Sequence, residues 1–185
     1  MYVVALGRVD DEALAAIELC LWQAFGIDVC RMAPMSEPTY AYDTQRGQYS
    51  SVNVLRALLS RVPPDGLRVL AVTEKDLFIP MLSFVFGQAQ VNGAIAVISL
   101  ARLRQEFHGL PPSKTLLLGR AIKEAVHEIG HTFGLTHCTD QSCPMSLSNT
   151  IGQVDRKGDE FCRNCSIILE EHMKSIRSNA AKEKQ

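Results

Sequence analysis

The chain has 185 residues, 46% of them apolar and 21% charged, with a net charge of −1 at neutral pH and a pI near 6.5. That length supports one domain's worth of buried core. No basic stripe marks a nucleic-acid surface, and no apolar run approaches the roughly 20 residues that span a bilayer, so neither nucleic acid nor membrane is expected as a partner. The first residues carry no cationic start, long apolar core or small-residue cleavage site, so no secretory signal is read and a cytoplasmic location is expected.

Residues 2–7 read as a buried strand ending in a turn. Asp10 to Phe25 shows helical spacing with an acidic start, and Gly26 stops it. Residues 27–35 read as a second strand, and the Pro-, Tyr- and Gly-bearing stretch to about residue 49 as loop. Ser50 or Ser51 caps a helix to Arg61, which Pro63-Pro64-Asp65-Gly66 breaks. Leu67 to Thr73 is a third strand. Alternating strand and helix predicts a largely parallel sheet flanked by helices. Phe84–Gln90 and Ala94–Leu100 flank Asn92-Gly93, a strong hairpin signal, so one of these strands runs antiparallel at a sheet edge. Such an edge either closes a structural hairpin or pairs with an extended peptide.

Ser113, after two prolines, caps a long helix to about Phe133, ended by Gly134. A Cys- and Pro-bearing loop and a helix from Asp159 to Ser178 follow, and the final Ala-Ala-Lys-Glu-Lys-Gln reads as a frayed tail. The fold class is therefore mixed α/β. A single domain is expected, with residues 1–134 as an upper lobe and 135–185 as a C-terminal lobe.

The chemistry concentrates in residues 127–138, His-Glu-Ile-Gly-His-Thr-Phe-Gly-Leu-Thr-His-Cys. At about 100° per residue, Leu118, Ile122, Ala125, Ile129 and Phe133 share one helix face. His127 and His131 fall on the opposite side, one turn apart, where two imidazoles can grip one ion. Glu128 is rotated about 100° away, poorly placed as a ligand but well placed to reach a metal-bound water as general base. Gly134 permits a sharp reversal that brings His137 back as third ligand, leaving a fourth position open, as catalytic zinc requires.

Six cysteines also need explaining. Cys138, Cys143, Cys162 and Cys165 are grouped, the last two as a C-x-x-C knuckle, and fit a closed structural zinc. An iron–sulfur cluster and redox thiols are the alternatives. Adjacent side chains in extended chain point opposite ways, so His137 and Cys138 should serve separate metals. Cys20 and Cys30 read as ordinary buried thiols. Met145 reads as an apolar floor beneath the histidines. His108 and His172 read as surface or packing residues.

The run H-E-x-x-H-x-x-G-x-x-H followed by a Met resembles the metzincin signature, and Cys138, Cys143, Met145, Cys162 and Cys165 resemble the archaemetzincin pattern closely. The motif covers about residues 127–165. The resemblance implies a metzincin-like zinc peptidase fold, with Met145 as the Met-turn residue and a cleft-edge strand within the 84–100 hairpin. Some metzincins carry a Tyr two residues after the Met; here Leu147 stands there, so no tyrosine is expected to assist. No inhibitory pro-segment is expected before the first strand. The expected function is zinc-dependent peptide-bond hydrolysis with two zinc ions per chain, by a monomer acting on a peptide substrate. A zinc-stabilised peptide-binding module and a hydrolase of non-peptide amides are the competing readings.

Overall fold

The computed structural model describes residues 1–182. Strand β1 (Tyr2–Leu6) is followed by helix α1 (Asp11–Phe25). The Asp10 carboxylate accepts from the Glu12 N–H at the start of α1, and Gly26, at φ 60°, closes its end. These are the cap chemistries that the sequence signals. β1 lies between β2 (Cys30–Arg31) and β5 (Val69–Thr73), parallel to both. β5 pairs in parallel with β8 (Ile95–Ser99), and β7 (Gly87–Ala89) closes the edge antiparallel to β8. The sheet order is thus β2-β1-β5-β8-β7. The mostly parallel sheet with one antiparallel edge strand agrees with the sequence reading. β5 and β8 are buried on both faces, as continuous apolar runs in parallel sheets usually are.

The second strand is much shorter than the expected 27–35. Only Cys30 and Arg31 form a continuous ladder with β1, with Met35 adding an isolated bridge to Leu6; the segment lies at the open edge of the sheet, where alternate residues face solvent. Cys30 is accordingly exposed, which corrects its reading as a buried thiol; Cys20 is buried, and burial pushes its thiol up to about 11. The stretch read as loop before residue 50 contains β3 (Tyr42–Asp43) and β4 (Gln48–Ser50). They form a small second sheet with β6 (Leu77–Phe78), in the order β3-β4-β6. Helix α2 (Ser51–Leu59) follows with Ser50 as its cap.

Helix α3 (Lys114–Thr132) carries the histidine motif and packs on α1, β7 and β8. Ala125, Ile129 and Phe133 of the expected apolar face are buried, whereas Leu118 and Ile122 are half-buried. The opposite face is buried too: Glu124, His127 and Glu128 are each at most 5% exposed. α3 is thus a central helix, covered on its polar side by β7 and the C-terminal segment. That segment holds α4 (Ile151–Arg156), absent from the sequence reading, and α5 (Arg163–Lys182). α5 begins at the C-x-x-C knuckle rather than at Asp159, and it continues through Lys182. The helix therefore takes in Ala180, Ala181 and Lys182, the first half of the tail expected to fray, and the other three residues of that tail lie outside the described residues.

Phe133 ties these layers together. Its ring stacks on Phe25 at 5.3 Å between centroids, and the Arg68 guanidinium lies 4.5 Å from its centroid. Phe133→Ala should lower the unfolding free energy by about 3–5 kcal/mol, the usual cost of emptying a buried aromatic site. Denaturant titration measures this directly, and a loss under about 1 kcal/mol would contradict the assignment.

Candidate active site

The last turn of α3 ends in two hydrogen bonds of a left-handed helix stop. Leu135 N–H donates to the Gly130 carbonyl at 3.1 Å and Gly134 N–H to the His131 carbonyl at 2.9 Å. Gly134 sits at φ +89°. A side chain there would be strained by the backbone and would also collide with Asn92 Oδ1 and the His172 ring. The reversal brings His137 against the helix it has just left. The ring centroids of His127, His131 and His137 lie 4.6, 5.4 and 5.0 Å apart pairwise, and one ring nitrogen of each falls within 4.8 Å of the others.

Two of the three rings are oriented from behind. His127 Nδ1 meets the Pro144 carbonyl and His131 Nδ1 the Leu135 carbonyl, each at 2.7 Å. A carbonyl only accepts, so each Nδ1 carries the proton and each Nε2 presents a lone pair. Those Nε2 atoms approach to 3.1 Å. Burial lowers the proton affinity of all three imidazoles, most strongly at His127, with Lys157 as the next cause there. Neutral, converging imidazoles at this spacing fit a zinc ion at its usual ~2.0–2.1 Å Zn–N distances.

Glu128 lies in the same cleft and makes no hydrogen bond to a described residue. β7 passes directly over it: a Cβ on Gly87 would stand 2.6 Å from Glu128 Cγ and Oε1. Burial, reinforced by the Glu124 carboxylate, pushes the Glu128 carboxyl well above its ordinary range, and the Lys157 charge opposes this. A carboxylate destabilised in this way binds a proton readily.

The sulfurs of Cys138, Cys143, Cys162 and Cys165 also lie within 4.8 Å of one another. Cys138 and Cys162 are 3.8 Å apart, the edge of a tetrahedron whose corners stand ~2.3 Å from a zinc ion. Burial pushes Cys143 and Cys165 up, while the Cys165 backbone N–H holds Cys162 down. Four sulfurs at this spacing fit the donor set of a closed tetrahedral zinc site. Met145 is fully buried, its Sδ standing where a Gly130 side chain would otherwise be. His172 Nδ1 contacts the Phe133 carbonyl at 2.7 Å, and His108 is exposed.

The histidines and Glu128 open into a cavity of about 520 Å³. It is also lined by Glu124, Lys157 and Ser148, which the sequence reading did not single out. Lys157 Nζ and Glu124 Oε1 form an ion pair at 3.2 Å, with side chains 0% and 3% exposed. Glu124 could have been found from its spacing, one turn before Glu128; Lys157 has no such signal.

The family model for peptidase family M54 matches residues 39–171. The chain belongs to peptidase family M54. The peptidase is 46% identical over 167 residues to the archaemetzincin of Methanocaldococcus jannaschii, covering 90% of each chain. Among solved structures it resembles the archaemetzincin of Methanopyrus kandleri, with TM-score 0.81, 38% identity and 94% of each chain covered. It also resembles a zinc-dependent peptidase from Methanocorpusculum labreanum, with TM-score 0.84, 31% identity and coverage of 91% of this chain and 98% of that one. The family and the two donor clusters make this protein a zinc metallopeptidase of mixed α/β fold. Among the described residues, no helix is long and apolar enough to cross a membrane.

Replacing Gly134 should be costly in a way its exposure does not suggest. Gly134→Ala is expected to lower stability by at least about 1–3 kcal/mol, the strain of a left-handed non-glycine residue alone. Thermal and denaturant unfolding of the variant would report it, and wild-type stability would refute the requirement.

Proposed function

We propose that the peptidase hydrolyses peptide bonds with His127, His131 and His137 as ligands of a catalytic zinc and Glu128 as general base. The observation that carries this reading is a proton-accepting carboxylate with no hydrogen-bond partner among the described residues, in the same cavity as three converging neutral imidazoles. When bound, zinc would supply Lewis acidity, lowering the pKa of a coordinated water from 15.7 to about 7. Glu128 then accepts the proton of the attacking water on a carboxylate oxygen and returns it to the leaving amine. The Pro144 and Leu135 carbonyls hold His127 and His131 in the required tautomer. Met145 shapes the apolar floor without ligating.

Cys138, Cys143, Cys162 and Cys165 hold a second, structural zinc in this reading, giving two ions per chain. Residues 1–134 act as the upper lobe and 135–185 as the lobe stapled by that metal. The enzyme acts as a monomer, and reduced thiols in the cluster suit a cytoplasmic setting. A binding module with little turnover has no specific support in the geometry, because a module has no use for an unpartnered carboxylate beside an open metal position.

Two measurements test these assignments. Glu128→Gln should keep its metal and fold but lose about 10²–10⁴-fold in kcat on a peptide library; undiminished cleavage would reject the general base. Metal analysis by plasma emission should find two zinc ions in the wild type. Cys162→Ser should lose one and unfold far more easily, since a structural zinc contributes up to ~10–16 kcal/mol in small peptides. His131→Ala should lose the other ion and remain folded. Equal destabilisation by both substitutions would rule out the division into catalytic and structural sites.

A further inference from the structure

The lining of the cleft carries polar groups that hydrolysis leaves unused. The Lys157 side chain is completely buried, and the residue lines the cavity that holds Glu128 and the histidines. Its Nζ has one acceptor among the described residues, Glu124 Oε1. An ammonium carries three donors, so two remain. Ser148 lines the same cavity, and its Oγ is buried with no hydrogen-bond partner among the described residues. Buried polar atoms in folded proteins are nearly always satisfied. Two sets of open donors at one cavity therefore call for an acceptor that the chain itself does not provide.

We propose that Lys157 and Ser148 form a carboxylate-recognition subsite, through which the peptidase selects substrates with an acidic side chain or a free C-terminal carboxylate. The proposal rests on the peptidase reading above. Donor chemistry alone would accept any carbonyl; the charge balance selects an anion. The Lys157 and Glu124 charges offset one another at 3.2 Å, and a divalent cation held by three neutral imidazoles would outweigh the cavity's one other carboxyl, Glu128, whatever its charge, leaving positive charge in excess. An anionic acceptor gains from that excess, and charge-assisted hydrogen bonds are about twice as strong as neutral ones. Glu124 holds the ammonium in place, so little side-chain freedom is lost when the ligand arrives.

The test uses the zinc-loaded full chain and three matched peptide pools. One pool is neutral and C-terminally amidated, one carries a scanned Glu and is amidated, and one is neutral with a free C-terminus. The wild type should favour one of the two acid-bearing pools over the neutral pool by about 10- to 100-fold in kcat/KM, and the favoured pool identifies the source of the carboxylate. Ser148→Ala should narrow that ratio several-fold. Lys157→Met combined with Glu124→Gln, which leaves no unpaired buried charge, should abolish it. Should the double variant fail to fold, the Ser148→Ala ratio decides. Cleavage of all three pools with equal efficiency overturns the subsite while leaving the peptidase reading intact. If no pool is cleaved, the peptidase reading falls, and calorimetric titration of the zinc-loaded wild type with the same pools decides the subsite by itself. There, tighter binding of an acid-bearing pool upholds it and equal binding overturns it.

Discussion

The backbone reversal at Gly134 is the constraint on which the site depends. Two histidines one turn apart can approach a single ion from a helix, but a helix cannot supply the third ligand from the same turn. The chain must leave the helix axis at once and double back. It does so in four residues, from a left-handed Gly134 through Leu135 and Thr136 to His137, and the two closing hydrogen bonds tie the departing chain to the Gly130 and His131 carbonyls of the helix end. The reversal is held from outside as well. Asn92, at the turn of the β7–β8 hairpin, donates its backbone N–H to the His131 carbonyl at 3.1 Å, and His172 of α5 meets the Phe133 carbonyl. Sheet edge and C-terminal helix thus converge on one peptide turn.

The cleft above that turn gathers charge in a place that burial should discourage. Glu124, Lys157 and Glu128 are almost fully shielded from water. A buried ion pair is poor evidence of added stability, because the cost of desolvating both ions roughly cancels their attraction. Glu124 shows the two tendencies directly: burial pushes its carboxyl up, and the Lys157 ammonium pulls it back. What the pair does secure is position, since it joins the middle of α3 to the chain just beyond α4. Its location in the cavity lining, and not its energy, makes it a functional feature.

Sequence alone made α3 legible because its signals are local: a serine cap, apolar spacing, a histidine pair and a glycine stop all lie within about twenty residues. The parallel sheet was legible for a related reason, since Val69–Thr73 and Ile95–Ser99 are buried on both faces and read as unbroken apolar runs. The second sheet was not. Its strands are two or three residues long, and β4 pairs with Leu77–Phe78, far along the chain, so no periodicity accumulates. α4 did leave a signal, the Thr150–Gln153 capping box, although its six residues are too few to show a repeat. Lys157 left none: a lysine after a short helix is ordinary until the fold buries it against Glu124.

The cysteine cluster reaches the histidines by two covalent routes rather than one. Cys138 follows His137 directly, so fixing its sulfur restrains the third imidazole. Cys143 precedes Pro144, whose carbonyl orients His127 on the opposite side of the triad. Between them, Cys138 N–H donates to the Met145 carbonyl at 2.9 Å, closing the loop into a small ring that carries both restraints. Loss of the cluster would therefore loosen His137 and release the Nδ1 partner of His127 together, although neither histidine belongs to it. His131 is the exception, because its partner Leu135 lies inside the Gly134 reversal and owes nothing to the cysteines. The triad accordingly rests on two supports: a helix stop that orients His131 and turns the chain back to His137, and a cysteine-bearing loop that restrains His137 and orients His127.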